Sequence, residues 1–183
     1  MRRILIRRTL IRRTGWLCAL MLLLPGCATL GKMATVAANP DIQVGSNDNQ
    51  PSTVGFSLLA EPDVNPSESG DAAPIEFQLV MLAEDSRLLA TDYDQVTTDI
   101  EKALAKNYLS HQDYTLLPGQ FKYLPPVKLD EKVHYIGVIA KYADPDSAEW
   151  RKVVKLKNTG RTYQLLVHLR REEVEIKKDQ EEE

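Results

Sequence analysis

Alternation of apolar and polar residues at a period of two, repeated along the chain, most constrains the fold. Val54, Phe56, Leu58 and Ala60 fall on one face of an extended segment. Ile75, Phe77, Leu79 and Met81 do the same, with Glu76 and Gln78 opposite them. Tyr114 and Leu116 suggest a shorter strand before the Pro118-Gly119 turn. Ile136, Val138, Ala140 and Tyr142 share a face, with Gly137 and Ile139 on the other. A strand over 150–156 follows the turn Asp144-Pro145-Asp146, and Tyr163, Leu165, Val167 and Leu169 alternate after Asn158-Thr159-Gly160. Val174 and Ile176 alternate with Glu173, Glu175 and Lys177. Side chains of a strand point alternately to its two faces, so each segment has one face to bury and one to hydrate. Short strands at regular spacing, separated by turn residues, predict a mainly β, two-sheet sandwich over residues 51–178.

One stretch breaks the pattern. Over 92–109, Val96, Ile100, Leu104 and Tyr108 recur every four residues and Ala103 joins their face. That spacing predicts a small helical insertion packed on the sandwich. Thr97-Thr98-Asp99 is placed to interrupt it and cap a second helix.

The chain opens differently. Six arginines occupy the first 13 residues with no acid among them, and an apolar run from Trp16 to Leu24 follows. Nine apolar residues suit a secretory signal and are too few to span a bilayer, which takes about 20. The run ends in Leu24-Pro25-Gly26-Cys27, which resembles the lipobox of bacterial lipoprotein precursors. The resemblance implies that residues 1–26 are removed, that Cys27 carries covalent lipid, and that two or more acyl chains hold the protein stably on a membrane. Ala28, where aspartate would retain the protein at the inner membrane, implies forwarding to the outer membrane. Residues 27–50 have little periodicity and many small or polar residues, the pattern of a flexible tether.

The mature chain of 157 residues is long enough for one domain. All 26 acids lie beyond residue 26, while six of the 23 basic residues precede it, leaving a net charge of −9. An acidic body argues against nucleic acid as a partner. Cys18 leaves with the signal and Cys27 is acylated, so a disulfide is not expected. No pair among His111, His134 and His168 has metal-ligand spacing, and His168, between Val167 and Leu169, is expected to face solvent. Asp144, Asp146 and Glu149 read as a solvated turn, and Trp150 as core or a plug at the sandwich edge. No nucleophile elbow, phosphate loop or zinc signature occurs, so neither catalysis nor a metal or other cofactor is expected. The tail, 179–183, is acidic and expected to fray.

The body also resembles a family. Leu58-Leu59-Ala60, Val64-Asn65-Pro66, Gly70 and Pro74-Ile75 resemble the first strand, loop and second strand of the TssJ lipoproteins of type VI secretion systems. The likeness continues through Asp92-Tyr93, Leu117-Pro118-Gly119, 135–140 and Trp150-Arg151, spanning about residues 54–156. Val80-Met81-Leu82 stands where the family often has aromatic-Gln-Leu, and Leu88-Leu89 where a phenylalanine is common. The resemblance implies a transthyretin-like sandwich, not an enzyme, lipid-anchored on the periplasmic side of the outer membrane. It further implies binding to the periplasmic part of the inner-membrane protein TssM and, with TssL, a trans-envelope complex. The first loop, 61–73, is long for a strand connection and rich in proline. The family places the TssM contact there, which on this chain implies Asp63, Val64, Asn65 and Pro66, with Val64 expected to be exposed. The alternatives are that Asn65-Pro66 only shapes a turn, and that the protein is a lipoprotein of another class. Such a protein would be a sandwich carrying a small ligand in an apolar pocket, or one assisting envelope assembly.

Overall fold

The computed structural model describes residues 49–179. The arginine-rich start, Cys27, nearly all of the 27–50 segment and all but the first residue of the acidic tail lie outside the described residues.

Eight strands form two four-stranded sheets. They are β1 (Thr53–Ala60), β2 (Ile75–Leu82), β3 (Tyr108–Leu116), β4 (Phe121–Lys128), β5 (Tyr135–Lys141), β6 (Arg151–Lys155), β7 (Thr162–Leu169) and β8 (Val174–Lys178). The first sheet has the order β4-β1-β7-β8 and the second β3-β2-β5-β6. Every pairing is antiparallel except β1 with β7. The alternating residues of both sheets meet in one core, where Val54, Phe56 and Leu58 join Phe77, Leu79, Val138, Leu165 and Val167. Among the described residues, the buried members of that core lie between Val54 and Val174.

Between β2 and β3 lie three short helices, α1 (Ser86–Ala90), α2 (Tyr93–Thr98) and α3 (Ile100–Leu104), then a single 3-10 turn, Ala105–Asn107. Asp99 separates the last two helices and caps α3, accepting from the Lys102 amide at 3.0 Å. The helices lie over the outer face of the second sheet. Leu88, Val96, Ile100 and Leu104 bury there against Val80, Leu82 and Ile139. The insertion therefore starts earlier than its periodicity indicates and ends before Tyr108, which opens β3. Tyr108 kept the four-residue spacing because it packs against the same cluster from the strand.

Arg151 fastens the insertion. Its Nη1 donates to the Leu88 carbonyl at 3.0 Å and to the Thr91 carbonyl, and its guanidinium lies 4.5 Å from the centre of the Trp150 ring. Trp150 meets Tyr93 edge-on at 5.2 Å and contacts both apolar clusters, a plug at the sandwich edge.

Among the described residues no helix covers the first sheet. Register places Phe121, Leu59, His168 and Glu175 in one outward row, and Tyr123, Ser57, Leu166 and Lys177 in the next. Among the described residues no helix is long and apolar enough to cross a membrane.

Candidate partner-docking site

Alternate strands enter and leave the sandwich at the same end, so four connections gather there. They are the loop 61–74 after β1 and the turns 117–120, 142–150 and 170–173. The long loop is built, not slack. Pro66 bridges Ala72 in a miniature antiparallel ladder, and the Ser67 amide donates to the Asp71 carbonyl at 2.8 Å. Ser69 Oγ donates to Asp71 Oδ2 at 2.9 Å, closing the tip around Gly70, whose φ of 85° suits glycine.

Asn65 is the keystone. It adopts φ 50°, a left-handed conformation that asparagine tolerates better than branched residues. Its amide donates to the Arg171 carbonyl at 3.0 Å, its Nδ2 to the Pro74 carbonyl at 2.8 Å, and its Oδ1 accepts from the Ala143 amide at 2.7 Å. One side chain thus joins both ends of the loop and the turn after β5, and the backbone adds the turn after β7. Tyr142 braces the same corner, its hydroxyl donating to the Arg170 carbonyl at 3.1 Å. Burial, with Glu173 and Glu61 nearby, pushes the Tyr142 pKa far up, so it remains a donor at physiological pH. The third turn joins through the Gly119 amide, which donates to the Glu61 carbonyl at 3.2 Å.

The structure separates the four loop residues singled out in the sequence. Asp63 is exposed and lies 3.8 Å from Arg171. Pro66 is half-buried. Val64, expected at the surface, is fully buried in the main core. Asp63 before it points outward while the loop folds back and lays the valine over the sandwich end. Asn65 is also buried, at 7% exposure.

His168 departs from expectation too. It faces outward from β7, yet its side chain is only 13% exposed. Nε2 lies 3.0 Å from Glu61 and Nδ1 3.7 Å from Glu175, with Arg170 3.3 Å from Glu175. Alternation assigns a face and does not count the neighbouring rows, whose charged side chains cover the imidazole. A shallow polar groove lined by Glu61, Glu149, Arg170 and Glu173 opens beside this network. The sequence alone assigned no site role to Glu61 or Arg170; the available signal was that both sit one step beyond alternating strands, flanking loops.

Glu175 gives the network a pH signature. The Lys177 hydrogen bond, and the charges of Arg170, Lys177 and His168, outweigh burial and hold its pKa below the usual range. A carboxyl depressed in the fold stabilises it above the unfolded pKa, and that contribution is lost as pH falls through the folded value. Urea midpoints should therefore drop on acidification below about pH 4, where unfolded glutamates take up protons. Glu175→Gln should show a smaller drop; an identical pH profile would remove Glu175 from the account.

Asp144 closes its own turn, accepting from Ser147 Oγ at 2.8 Å, and Glu149 pairs with Lys152 at 3.0 Å. Among the described residues no group of three or more His, Cys, Asp or Glu could hold a metal ion.

The described residues thus form a filled two-sheet sandwich with braced loops gathered at one end. The sequence model of the family described as type VI secretion lipoprotein (VasD, EvfM, TssJ) matches residues 52–172, and the chain belongs to that family. The family is one of secretion-system lipoproteins, not of enzymes. The T6SS lipoprotein TssJ1 from Pseudomonas aeruginosa is 30% identical, with a TM-score of 0.67 covering 71% of this chain and 98% of that one. Serratia marcescens Lip, a membrane-bound component of the type VI secretion system, is 22% identical, with a TM-score of 0.61 covering 72% and 99%. A chain of a structure described as a type VI membrane complex is 21% identical, with a TM-score of 0.62 covering 70% and 99%. No curated protein matches the sequence. Nearly the whole of each solved chain corresponds to this β body.

Proposed function

We propose that this protein is an outer-membrane-anchored structural lipoprotein that docks the periplasmic domain of TssM and so anchors a type VI trans-envelope assembly, with TssL reached through TssM. Cys27 carries the lipid, and Ala28 directs the chain to the periplasmic face of the outer membrane. The observation that carries the docking role is the braced loop 61–74. It stands at the far end of β1 from Thr53, where the chain enters from its anchor, about 25 Å away for a strand of this length. Lipid at one end and a rigid docking loop at the other raise the local concentration of partner without any catalysis.

Within the loop the four residues divide the work. Asp63 and Pro66 touch TssM, whereas Val64 and Asn65 hold them in place from below. The bracing lowers the entropy lost on binding. The small-ligand carrier is not favoured, because side chains of both sheets fill the space between them.

The test is calorimetric titration of residues 49–183 against the periplasmic C-terminal domain of the same organism's TssM. Saturable binding, micromolar or tighter, is expected. Asp63→Lys combined with Asp71→Lys should weaken it about tenfold or more while the melting curve stays in place. A folded body that shows no binding would sink the proposal.

A further inference from the structure

The exposed part of loop 61–74 is too polar to account for a stable interface by itself. Its outward residues are Pro62, Asp63, Glu68, Ser69, Gly70, Asp71, Ala72 and Pro74, with no aromatic among them. Stable protein interfaces cover about 800 Å² on each partner and draw most of their affinity from a few buried aromatic or large apolar anchors.

Such anchors stand next door. The turn after β3 runs Leu117-Pro118-Gly119-Gln120, with Gly119 at φ 74° and the Gln120 amide donating to the Leu117 carbonyl at 3.0 Å. Proline then glycine at the two central positions fits a type II turn. This turn is bonded to the root of the loop twice, through Gly119 to the Glu61 carbonyl and through the Ala60 amide to the Gln120 carbonyl at 3.0 Å. Leu117 before it and Phe121 after it are each 58% exposed, and Tyr123, one outward position along β4, is 53% exposed. Phe121 pairs with Leu59 and Tyr123 with Ser57, so the patch continues onto the uncovered face of the first sheet.

We infer that the partner held by the loop also covers this edge, with Leu117, Phe121 and Tyr123 as its apolar anchors. The inference rests on the docking reading above. The partner chemistry it requires is a folded protein surface with an apolar centre and a basic rim facing the exposed acids Glu68 and Asp71.

Three observations favour that occupant over others. The outer face of the second sheet is closed by the chain's own helices, whereas among the described residues no helix covers this one beside the loop. The free edge of β4 is blocked by Pro125 and Pro126 only in its second half, so its main-chain groups are available where they adjoin the loop. A second copy paired antiparallel about Lys122 and Tyr123 would bring Lys122 close to its own counterpart.

The experiment is the same titration with Leu117→Ser and Phe121→Ser as single variants, and Leu89→Ser as control. Leu89 is 50% exposed on α1, away from the patch. Each of the first two should weaken TssM binding about tenfold or more, as loss of an anchor does, and the control should stay within about twofold of the parent. If Phe121→Ser fails to fold, Leu117→Ser in the turn decides. Parental affinity in folded Leu117→Ser and Phe121→Ser, with Asp63→Lys/Asp71→Lys weakened, would overturn the inference and leave the docking function standing. No binding by the parent would remove both. Sedimentation showing self-association that Leu117→Ser abolishes would assign the edge to a second copy instead. Cosedimentation with phosphatidylglycerol vesicles that Phe121→Ser abolishes would assign it to lipid; either result overturns the inference.

Discussion

Asn65→Ala is expected to destabilise the body by about 2–4 kcal/mol and to weaken TssM binding by more than the loss of any exposed loop residue. Two costs add. Alanine at φ 50° is strained, and the Pro74 carbonyl and Ala143 amide lose the partners that Asn65 supplies from its buried side chain at 2.8 and 2.7 Å. Each such hydrogen bond contributes roughly 0.5–1.5 kcal/mol. Asn65→Gly separates the terms, because glycine accepts the backbone conformation but restores neither hydrogen bond. The glycine variant should recover up to about 1 kcal/mol of the loss and remain weak in binding. Chemical denaturation and titration on both variants check this. Equal stability of parent and alanine variant would mean that the loop is held by its backbone ladder alone.

Asn65 also shows where sequence reading stops. Its position before proline marks a turn, and that local reading is correct. That its amide group spans to Pro74 and to Ala143, 78 positions away, follows only from the topology that brings the turns together. Val64 fails for the same reason: its polar neighbours say nothing of a loop that folds back over the core. β1 and β7 were legible because their core-facing residues are buried and most of those between are only partly so, and β2 and β5 because each keeps an apolar core face although the insertion also buries Val80 and Ile139 on the other. Strand β4 was not, since nearly all its residues are exposed and two are proline, so no face carries an apolar signature. Edge strands answer to pairing geometry more than to burial. β3, another edge, was recognised only at Tyr114 and Leu116, although it begins at Tyr108. The residues proposed as anchors sit on the least legible strand, because a surface kept for a partner has the composition of neither a core nor a solvated face.

The second large effect is expected at Gly137. The residue faces away from the sandwich core, beneath the helical insertion, and a Cβ there would stand 2.7 Å from Leu88 Cδ2 and 3.3 Å from Leu82 Cδ1. Ordinary carbon contacts need about 3.5–4.0 Å. Leu88 is fully buried, and the carbonyl of the same residue is held by Arg151 at 3.0 Å, so it has little room to retreat. Gly137→Val should cost about 1–3 kcal/mol or more by overpacking, and the strain should appear in the insertion rather than in the main core. Hydrogen exchange would locate it: faster exchange across 86–107 with β1 and β7 still protected. The main core and loop 61–74 lie on the other side of β5 from this contact, so TssM affinity should remain close to that of the parent. A variant that loses TssM binding while exchange changes only in 86–107 would move the docking site onto the insertion and displace the loop from its assigned role.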